Sequence, residues 1–240
     1  MVAIPSTPNL PMLFIIDFDG TIAPTDTVDG LLETFADPDW RRIEQQWVNG
    51  EINSRQCMAE QIALVSEDEQ TLRRYLNSVA IDPSFPEFVR YASTFADLAI
   101  VSDGLDYPIQ QAMGRLAGPA VPVYANHLEF RPRGLALSFP LTDPSCTVRS
   151  GVCKCSVARG VDAGRGLTTV LIGDGRSDQC IASQVHYVFA KGSLITYCQE
   201  RKIPYTPFSS FADVLNTIRE WDVIPYQRRL KERQCPLVEA

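Results

Sequence analysis

The chain has 240 residues, 45% of them hydrophobic, so it can bury a sizeable core in one large domain or in one domain with an insertion. Its formal net charge of -7 disfavours nucleic acids and anionic membranes as main partners, because both bind basic surfaces. No apolar run approaches the roughly 18 residues of a membrane span. The seven cysteines are an odd number and no secretory leader is visible, which predicts reduced thiols and a cytoplasmic location.

A buried strand is predicted near the start of the chain, in the stretch "PMLFIIDFDGTIAPTD". Its five apolar residues, Met12–Ile16, are too few for a helix, and Pro11 marks their beginning. Asp17 and Asp19 follow at once, and these two like charges repel each other and resist loss of solvent. Some other group must therefore compensate the two acids.

Residues 24–83 are predicted to form a small inserted helical domain, because their apolar residues recur at helical spacing between charged faces. Asn53 or Ser54 is suited to cap a helix, and Gly50 is suited to end one. The two prolines of "IDPSFPEF" predict a hinge back to the main domain. That main domain would comprise residues 1–23 and 84–240.

Short apolar strands alternate with helices in the rest of the chain. The predicted strands are "DLAIVSDG", "VPVYAN", "LTTVLIGDG" and "HYVFA", and the predicted helices include "DYPIQQAMGRLAG", "KCSVARGVDA" and "FADVLNTIREW". The alternation predicts an α/β fold, a doubly wound and mostly parallel sheet with helices on both faces. A hairpin is expected to turn at Arg133 and Gly134, and the charged tail from about Pro225 is either helical or frayed.

Polar residues end three of the predicted strands, namely Asp17, Ser102 and Asp174. Because parallel strands end at one edge of the sheet, these side chains are expected to meet there. Asp178 lies four residues beyond Asp174, and Lys154 begins another predicted helix, so both can join them.

A cluster of four acids, Asp17, Asp19, Asp174 and Asp178, calls for a cation. All-oxygen ligands with few protein carboxylates suit Mg²⁺. A serine, a lysine and the backbone N–H groups around Gly20 would face a phosphate. Carboxylate, metal and phosphate together indicate phosphoryl transfer, in which one carboxylate attacks phosphorus and the other moves protons.

These motifs resemble those of the haloacid dehalogenase superfamily of phosphatases. The matching segments are "DFDGT", "VSDG", the isolated Lys154 and "GDGRSD", in the family's order. The resemblance implies that Asp17 is the nucleophile and a Mg²⁺ ligand. It implies that Asp19 is the general acid and base and gives its backbone carbonyl to the metal. Gly20 and Thr21 would support the phosphate loop.

The later motifs carry the remaining implied roles. Ser102 and Lys154 would hold the phosphoryl oxygens. Asp174 would ligate Mg²⁺, and Asp178, counted with the metal residues, would orient the metal's water or Lys154. The helical insertion would be the family's cap. The segments "YANHLEF", "CK" and "IGDGRSD" are similar to phosphoserine phosphatase-like members, and they most resemble the 2-hydroxy-3-keto-5-methylthiopentenyl-1-phosphate phosphatase branch of methionine salvage. The resemblance implies a methionine-salvage or phosphoserine-type substrate.

The second motif departs from those branches, which usually carry Ser-Gly-Gly. Asp103 stands in the middle position here, and Gly104 follows it. Both are expected beside the substrate, but a carboxylate there would repel a phosphate dianion unless it points away.

Several residues leave two interpretations open. Asp26 either meets the substrate or caps the first cap helix. Lys191 also follows a strand, but Lys154 fits the family order better. Five residues of the helical insertion either line a lid over the site or are core aromatics and solvent-exposed arginines, namely Trp40, Arg41, Arg42, Trp47 and Arg55. Zinc binding is disfavoured, relative to simple thiols, for Cys146, Cys153 and Cys155.

The sequence thus predicts a Mg²⁺-dependent phosphatase that acts on a small phosphorylated metabolite through an aspartyl-phosphate on Asp17. A phosphotransferase to a small alcohol and a non-catalytic binder of a phosphorylated ligand or a protein are the alternatives. The chain is expected to be a monomer or a homodimer.

Overall fold

A computed structural model describes residues 11–132, 134–146 and 149–221. The expected tail from about Pro225 and the Arg133 half of the expected hairpin turn lie outside these residues. Within them, no helix is both long and apolar enough to cross a membrane.

The predicted parallel sheet is confirmed and has seven strands in the described residues, in the order β4-β3-β2-β1-β5-β6-β7. Every neighbouring pair is parallel except β3 and β4, which are antiparallel. The strands are β1 (Met12–Ile16), β2 (Ala96–Leu105), β3 (Val123–Arg131), β4 (Gly134–Ser138), β5 (Thr168–Gly173), β6 (Tyr187–Ala190) and β7 (Thr206–Pro207).

The central position of β1 explains its continuous apolar sequence. All five of its side chains are fully buried, as expected for a strand covered on both faces. Ile16 pairs with Ile100 of β2 on one side and with Ile172 of β5 on the other. This register brings the residues after Ile16, Ile100 and Ile172 to one edge of the sheet.

Helices cover both faces of the sheet, so the doubly wound prediction is confirmed. The helices α5 (Phe85–Ala92), α6 (Asp106–Met113) and α10 (Phe211–Arg219) contribute to an aromatic-rich core on one face. The other face carries α7 (Lys154–Asp162), α8 (Gln179–Ala182) and α9 (Gly192–Arg201). In the first core the rings of Phe14 and Phe88 meet edge to face, with centroids 5.6 Å apart.

The segment between β1 and α5 is helical, as predicted. It forms α1 (Thr27–Phe35), α2 (Trp40–Val48), α3 (Ser54–Ile62) and α4 (Glu69–Leu76). Asn53 caps α3 in a capping box with Gln56, and Gly50, at φ +77°, follows the end of α2. A third apolar cluster joins these helices to Leu105, Leu128 and Leu135 of the sheet. That this segment is a separate domain remains a prediction.

Three boundaries differ from the sequence predictions. Pro86 lies in the first turn of α5, where a missing N–H costs nothing, so the supposed hinge is partly helix. The helix predicted to reach Gly118 ends at Met113. The strand predicted in "VPVYAN" runs on into the first strand of the predicted hairpin as one long strand, β3. The hairpin itself is confirmed, because β3 and β4 pair antiparallel with Arg131 opposite Gly134. In addition β2 continues through Ser102 to Leu105, with an irregular register against β3.

Candidate active site

A buried lysine joins two acids at the carboxyl edge of the sheet. Lys154 Nζ lies 2.8 Å from Asp17 Oδ1 and 2.6 Å from Asp178 Oδ1, and the lysine is only 3% exposed. Burial lowers the pKa of Lys154, but the charges of Asp17 and Asp178 outweigh it and hold the pKa above its usual value. The lysine therefore remains a cation in an interior that would otherwise reject it.

Asp178 is fully buried and its two oxygens are already engaged. Oδ1 contacts Lys154, and Oδ2 accepts hydrogen bonds from the backbone N–H groups of Asp174 and Gly175, both at 3.1 Å. This geometry agrees with the expectation that Asp178 orients Lys154. Direct metal binding by Asp178 remains a prediction. It would require one carboxylate oxygen to bind the metal in addition to its present hydrogen-bond donor.

Asp174 completes the acidic group. The carboxylates of Asp17, Asp174 and Asp178 each place an oxygen within 4.8 Å of the others. Thr21 Oγ1 donates to Asp174 Oδ1 at 3.0 Å. Gly20, at φ +70°, packs so closely that a Cβ would overlap the Asp174 carboxylate. The loop "DFDGT" thus closes against the end of β5.

The negative charge of this group exceeds what Lys154 neutralises. Burial, and then the charge of Asp178, raise the pKa of Asp17 well above its usual value although Lys154 opposes them. Burial and Asp178 likewise raise the pKa of Asp174. No protein donor contacts Oδ2 of Asp17 or of Asp174 within the described residues. Two open carboxylate oxygens beside excess negative charge suit a hard divalent cation.

Asp19 lies on the other side of the cluster and is held by the start of α1. Its Oδ1 accepts hydrogen bonds from the backbone N–H of Thr27 at 2.8 Å and from the Thr27 hydroxyl at 2.6 Å. Burial and the charge of Asp26 raise the pKa of Asp19 to about 7, against the hydrogen bonds from Thr27. A carboxyl group with a pKa near neutrality can both give and take a proton.

Ser102 is buried beside Asp19, as predicted. Its hydroxyl lies 3.5 Å from Asp19 Oδ2 and accepts a hydrogen bond from the Gly104 N–H at 2.9 Å. A Cβ at Gly104 would overlap the Asp19 carboxylate, so this close approach requires glycine. The second motif therefore shapes the site through Gly104 as well as through Ser102.

The carboxylate of Asp103 is directed at the loop that precedes Lys154. Its Oδ1 accepts a hydrogen bond from the Val152 N–H at 3.0 Å, although Asp103 also contributes to the cavity wall. The sequence predicts that Asp103 repels a phosphate unless its carboxylate points away. At least Oδ1 is directed away, toward Val152.

A cavity of about 550 Å³ lies between the sheet edge and the helical segment α1–α4, which is the predicted cap. The sheet side contributes Asp17, Asp19, Ser102, Asp103, Gly104 and Asp174. The cap side contributes Asp26, Val28, Asp29, Glu44, Trp47, Ile52, Cys57, Met58 and Gln61, among others. The cavity is large enough for a small metabolite.

The cap residues singled out from the sequence separate into two groups. Trp47 lines the cavity, and the guanidinium of Arg176 lies 5.5 Å from its ring centroid. Trp40 is buried in the cap core with the Arg41 guanidinium over its ring, and Arg42 pairs with Asp39. Arg55 does not line the cavity. Of the five residues, Trp47 alone lines the cavity, so the interpretation as a lid is kept for Trp47 and not for the other four.

Both interpretations of Asp26 are compatible with its position. Its Oδ1 accepts hydrogen bonds from the N–H groups of Val28 and Asp29, which caps α1, and the residue also lines the cavity. Substrate contact by Asp26 remains a prediction. Lys191, the alternative to Lys154, instead contacts the Thr21 carbonyl at 3.3 Å.

Besides the residues of the cavity wall, two residues that hold predicted site residues in place were not foreseen. Thr27 holds Asp19, and the fully buried Asn126 donates from Nδ2 to the Asp103 carbonyl at 2.6 Å. Thr27 reads in the sequence as a helix start, and Asn126 as one residue of a strand. No local pattern marks either contact, because a loop separates Thr27 from Asp19 and 23 residues separate Asn126 from Asp103.

The model of the haloacid dehalogenase-like hydrolases matches residues 14–183. The chain belongs to this family. The matched region runs from β1 through α8, and it contains the four segments "DFDGT", "VSDG", Lys154 and "GDGRSD" of this family member.

Curated relatives of this hydrolase are similar over nearly their whole length. The 2-hydroxy-3-keto-5-methylthiopentenyl-1-phosphate phosphatase of Exiguobacterium sibiricum is 30% identical, and the alignment covers 87% of this chain and 97% of the relative. The phosphatase of the same name from Brevibacillus brevis is 26% identical, with 87% and 96% covered. This family member is accordingly a phosphoric monoester hydrolase.

Solved structures show the same fold at low sequence identity. A phosphoserine phosphatase with an analogue of its phospho-aspartyl intermediate gives a TM-score of 0.63 at 16% identity, covering 87% of this chain and 99% of that one. A probable phosphoserine phosphatase from Vibrio cholerae gives 0.67 at 17% identity, covering 90% and 67%.

Proposed function

We propose that this phosphatase depends on Mg²⁺ and hydrolyses a small phosphomonoester through an aspartyl-phosphate on Asp17. The observation that carries the proposal is the buried contact of Lys154 with Asp17, at 2.8 Å, where Asp17 lines a cavity large enough for a small metabolite. A lysine in that place favours the ionised form of the nucleophile and can neutralise a phosphoryl oxygen.

The residues present fit a bound Mg²⁺. The open oxygens of Asp17 and Asp174 are hard ligands, and the pKa of each carboxyl group is raised by burial and then by the negative charge of Asp178. Bound there, with the Asp19 carbonyl and Asp178 as further predicted members of the site, the metal would neutralise charge on the phosphoryl oxygens.

The chain's own residues then supply two steps. A carboxylate oxygen of Asp17 attacks phosphorus, the bond from phosphorus to the ester oxygen breaks, and Asp19 gives its proton to the leaving oxygen. In the second step Asp19 takes a proton from water as that water attacks the phosphorus of the aspartyl-phosphate. The bond from phosphorus to the Asp17 oxygen breaks, which releases inorganic phosphate and restores the Asp17 carboxylate. Ser102 and Lys154 would hold the phosphoryl oxygens in both steps.

Closure of the site by the cap would favour hydrolysis of the correct ester. The helices α1, α2 and α3 cover the cavity, so a bound leaving group would be enclosed and bulk water limited. The substrate that the proposal names is 2-hydroxy-3-keto-5-methylthiopentenyl-1-phosphate, because the curated relatives carry that substrate in their names. The cavity lining includes the apolar residues Val28, Trp47, Ile52 and Met58, which suit a methylthio group, beside charged residues such as Asp29 and Glu44.

The test is release of inorganic phosphate from that ester, from phosphoserine and from an aryl phosphate, with Mg²⁺ and with a chelator. We expect turnover only with the metal, and the highest kcat/KM for the methylthiopentenyl ester. Asp17→Asn should abolish turnover while leaving the circular dichroism spectrum unchanged. Asp97→Asn, which changes an exposed acid paired with Arg165, is the matched control.

Four outcomes would contradict the proposal. Activity retained in Asp17→Asn would exclude this nucleophile, and full activity in the chelator would exclude the metal. Ester formation with an added alcohol in place of phosphate release would indicate a phosphotransferase. No turnover of any ester by the parent chain would favour a non-catalytic binder.

A further inference from the structure

Ser102 and Asp103 are neighbours in β2 and face different parts of the site. Consecutive side chains of a strand point to opposite faces. The Ser102 hydroxyl faces Asp19, whereas Asp103 Oδ1 accepts a hydrogen bond from the Val152 N–H at 3.0 Å. The pairing of β2 with β3 shifts register between Val101 and Leu105, and such irregularities commonly re-aim side chains beside active sites.

Asp103 is also tied to β3, so its position is fixed from two sides. Asn126, fully buried on β3, donates from Nδ2 to the Asp103 carbonyl at 2.6 Å. Gly151 packs against the Asn126 amide so closely that a Cβ at residue 151 would overlap it. The end of β2, the strand β3 and residues 151–152 therefore form one interlocked unit.

The loop held in this way carries Lys154. Val152 lies two residues before Lys154, which is the first residue of α7. Cys153, at the N-cap, makes no side-chain capping hydrogen bond, so backbone contacts hold the helix start. Besides the bond from Val152 to Asp103, the Cys153 N–H donates to the Leu141 carbonyl at 3.2 Å. Where the loop lies decides whether the lysine reaches Asp17, 2.8 Å from its Nζ.

We propose that Asp103 is a positioning residue that places Lys154 by accepting the backbone hydrogen bond of Val152. In this role the carboxylate acts as a hydrogen-bond acceptor, and it neither contacts the substrate nor repels the phosphate. The proposal rests on the proposed function, because it assigns Lys154 to the phosphoryl group.

The test compares Asp103→Asn with Asp103→Ala. The asparagine keeps an acceptor oxygen and removes the charge, whereas the alanine removes both. The matched control is Asp106→Ala, since Asp106 Oδ1 also accepts a backbone N–H, that of Leu128 at 3.0 Å, but not in the loop that carries Lys154. For each variant we would measure kcat on an aryl phosphate and the inhibition constant of inorganic phosphate, with Mg²⁺ present.

The expected pattern is a loss in one variant only. Asp103→Ala should lower kcat by about 10- to 10²-fold and weaken phosphate inhibition, the usual effect of a small misplacement of a catalytic group. Asp103→Asn should stay within about fivefold of the parent, because a neutral hydrogen bond is roughly half as strong as a charge-assisted one. Asp106→Ala should match the parent in both measurements.

Other patterns would overturn the proposal. Tighter phosphate inhibition in Asp103→Asn would mean that the carboxylate repels phosphate, and this readout decides even if the alanine variant does not fold. Equal losses in both variants would mean that charge matters instead of acceptance. Parental behaviour of Asp103→Ala would remove the positioning role. If the parent chain hydrolyses no ester, the proposed phosphatase function is wrong. If the parent is active and only the expected pattern of the Asp103 variants is missing, the positioning role of Asp103 is wrong.

Discussion

Lys154 Nζ contacts Asp17 Oδ1 at 2.8 Å, although Asp17 follows β1 and Lys154 is the first residue of α7, far away in the chain. The contact is buried at both ends, since the lysine side chain is 1% exposed and the aspartate side chain 7% exposed. Removing one partner from such a pair leaves an unpaired buried charge, whose cost exceeds that of most surface ion pairs. The behaviour of the site should therefore depend strongly on Lys154.

Lys154→Met is expected to lower kcat by on the order of 10²–10³-fold, the usual cost of losing one group that stabilises charge in the transition state. Without Mg²⁺ it should also lower the free energy of unfolding by about 3–5 kcal/mol, because Asp17 and Asp178 lose their counter-ion. Phosphate release and urea unfolding measure the two effects. Lys191→Met is the control, and a loss of kcat as large as that in Lys154→Met would remove the special role of Lys154.

The metal-free protein should be more stable at pH 5 than at pH 8. The pKa of Asp19 is raised to about 7 in the folded state, mainly by burial, so the folded state binds this proton more tightly than the unfolded state. Stability is therefore gained as pH falls through about 7 and is lost as pH rises through it. Thermal unfolding in a chelator across this range measures the effect.

Asp19→Asn is the control for this pH dependence. His127 contributes in the same direction, because its hydrogen bond with Asp106 raises its pKa. The variant should therefore reduce the difference in Tm between pH 5 and pH 8 without abolishing it. A parent protein with a higher Tm at pH 8 would contradict the burial of uncompensated acids in this site.

Gly20→Ala is expected to reduce activity by about 10²-fold, because a Cβ at this position would displace the Asp174 carboxylate. It should also destabilise the protein by about 1–2 kcal/mol through the left-handed backbone, φ +70°. Gly164→Ala has a similar φ of +77° with open space around it, so it should share the destabilisation and keep full activity. Equal activity losses in the two variants would assign the effect to backbone strain alone.

Loss of the contact between Arg176 and Trp47 should reduce kcat/KM modestly, because it joins the fourth motif to the cap. An exposed cation–π pair contributes about 0.5–1 kcal/mol, which corresponds to about two- to fivefold in kcat/KM. The double variant Arg176→Ala with Trp47→Ala should lose less than the product of the single losses. Arg41→Ala, which removes a similar contact over Trp40 within the cap, should leave kcat/KM unchanged. Strict additivity of the single losses would show that the pair does not act as a unit.

Most of the fold could be predicted from local patterns. The apolar run Met12–Ile16 was sufficient to place β1, and the alternation of strands and helices was sufficient to predict the doubly wound sheet. Boundaries were less predictable, because Pro86 is equally acceptable in a connection and in the first turn of a helix. Where tertiary packing extends an element, as in β3, the local sequence gives no signal of it.

The sequence by itself determined which chemical groups stand at the ends of the strands, since their order and residue types follow from the motifs around Asp17, Ser102, Lys154 and Asp174. Only the tertiary structure decided how those groups are used. It turned Asp103 toward Val152, engaged both oxygens of Asp178, and placed Thr27 against Asp19. The physical reason is that periodicity and propensity act between near neighbours, whereas the direction of a side chain and its hydrogen-bond partners depend on segments that meet only after folding.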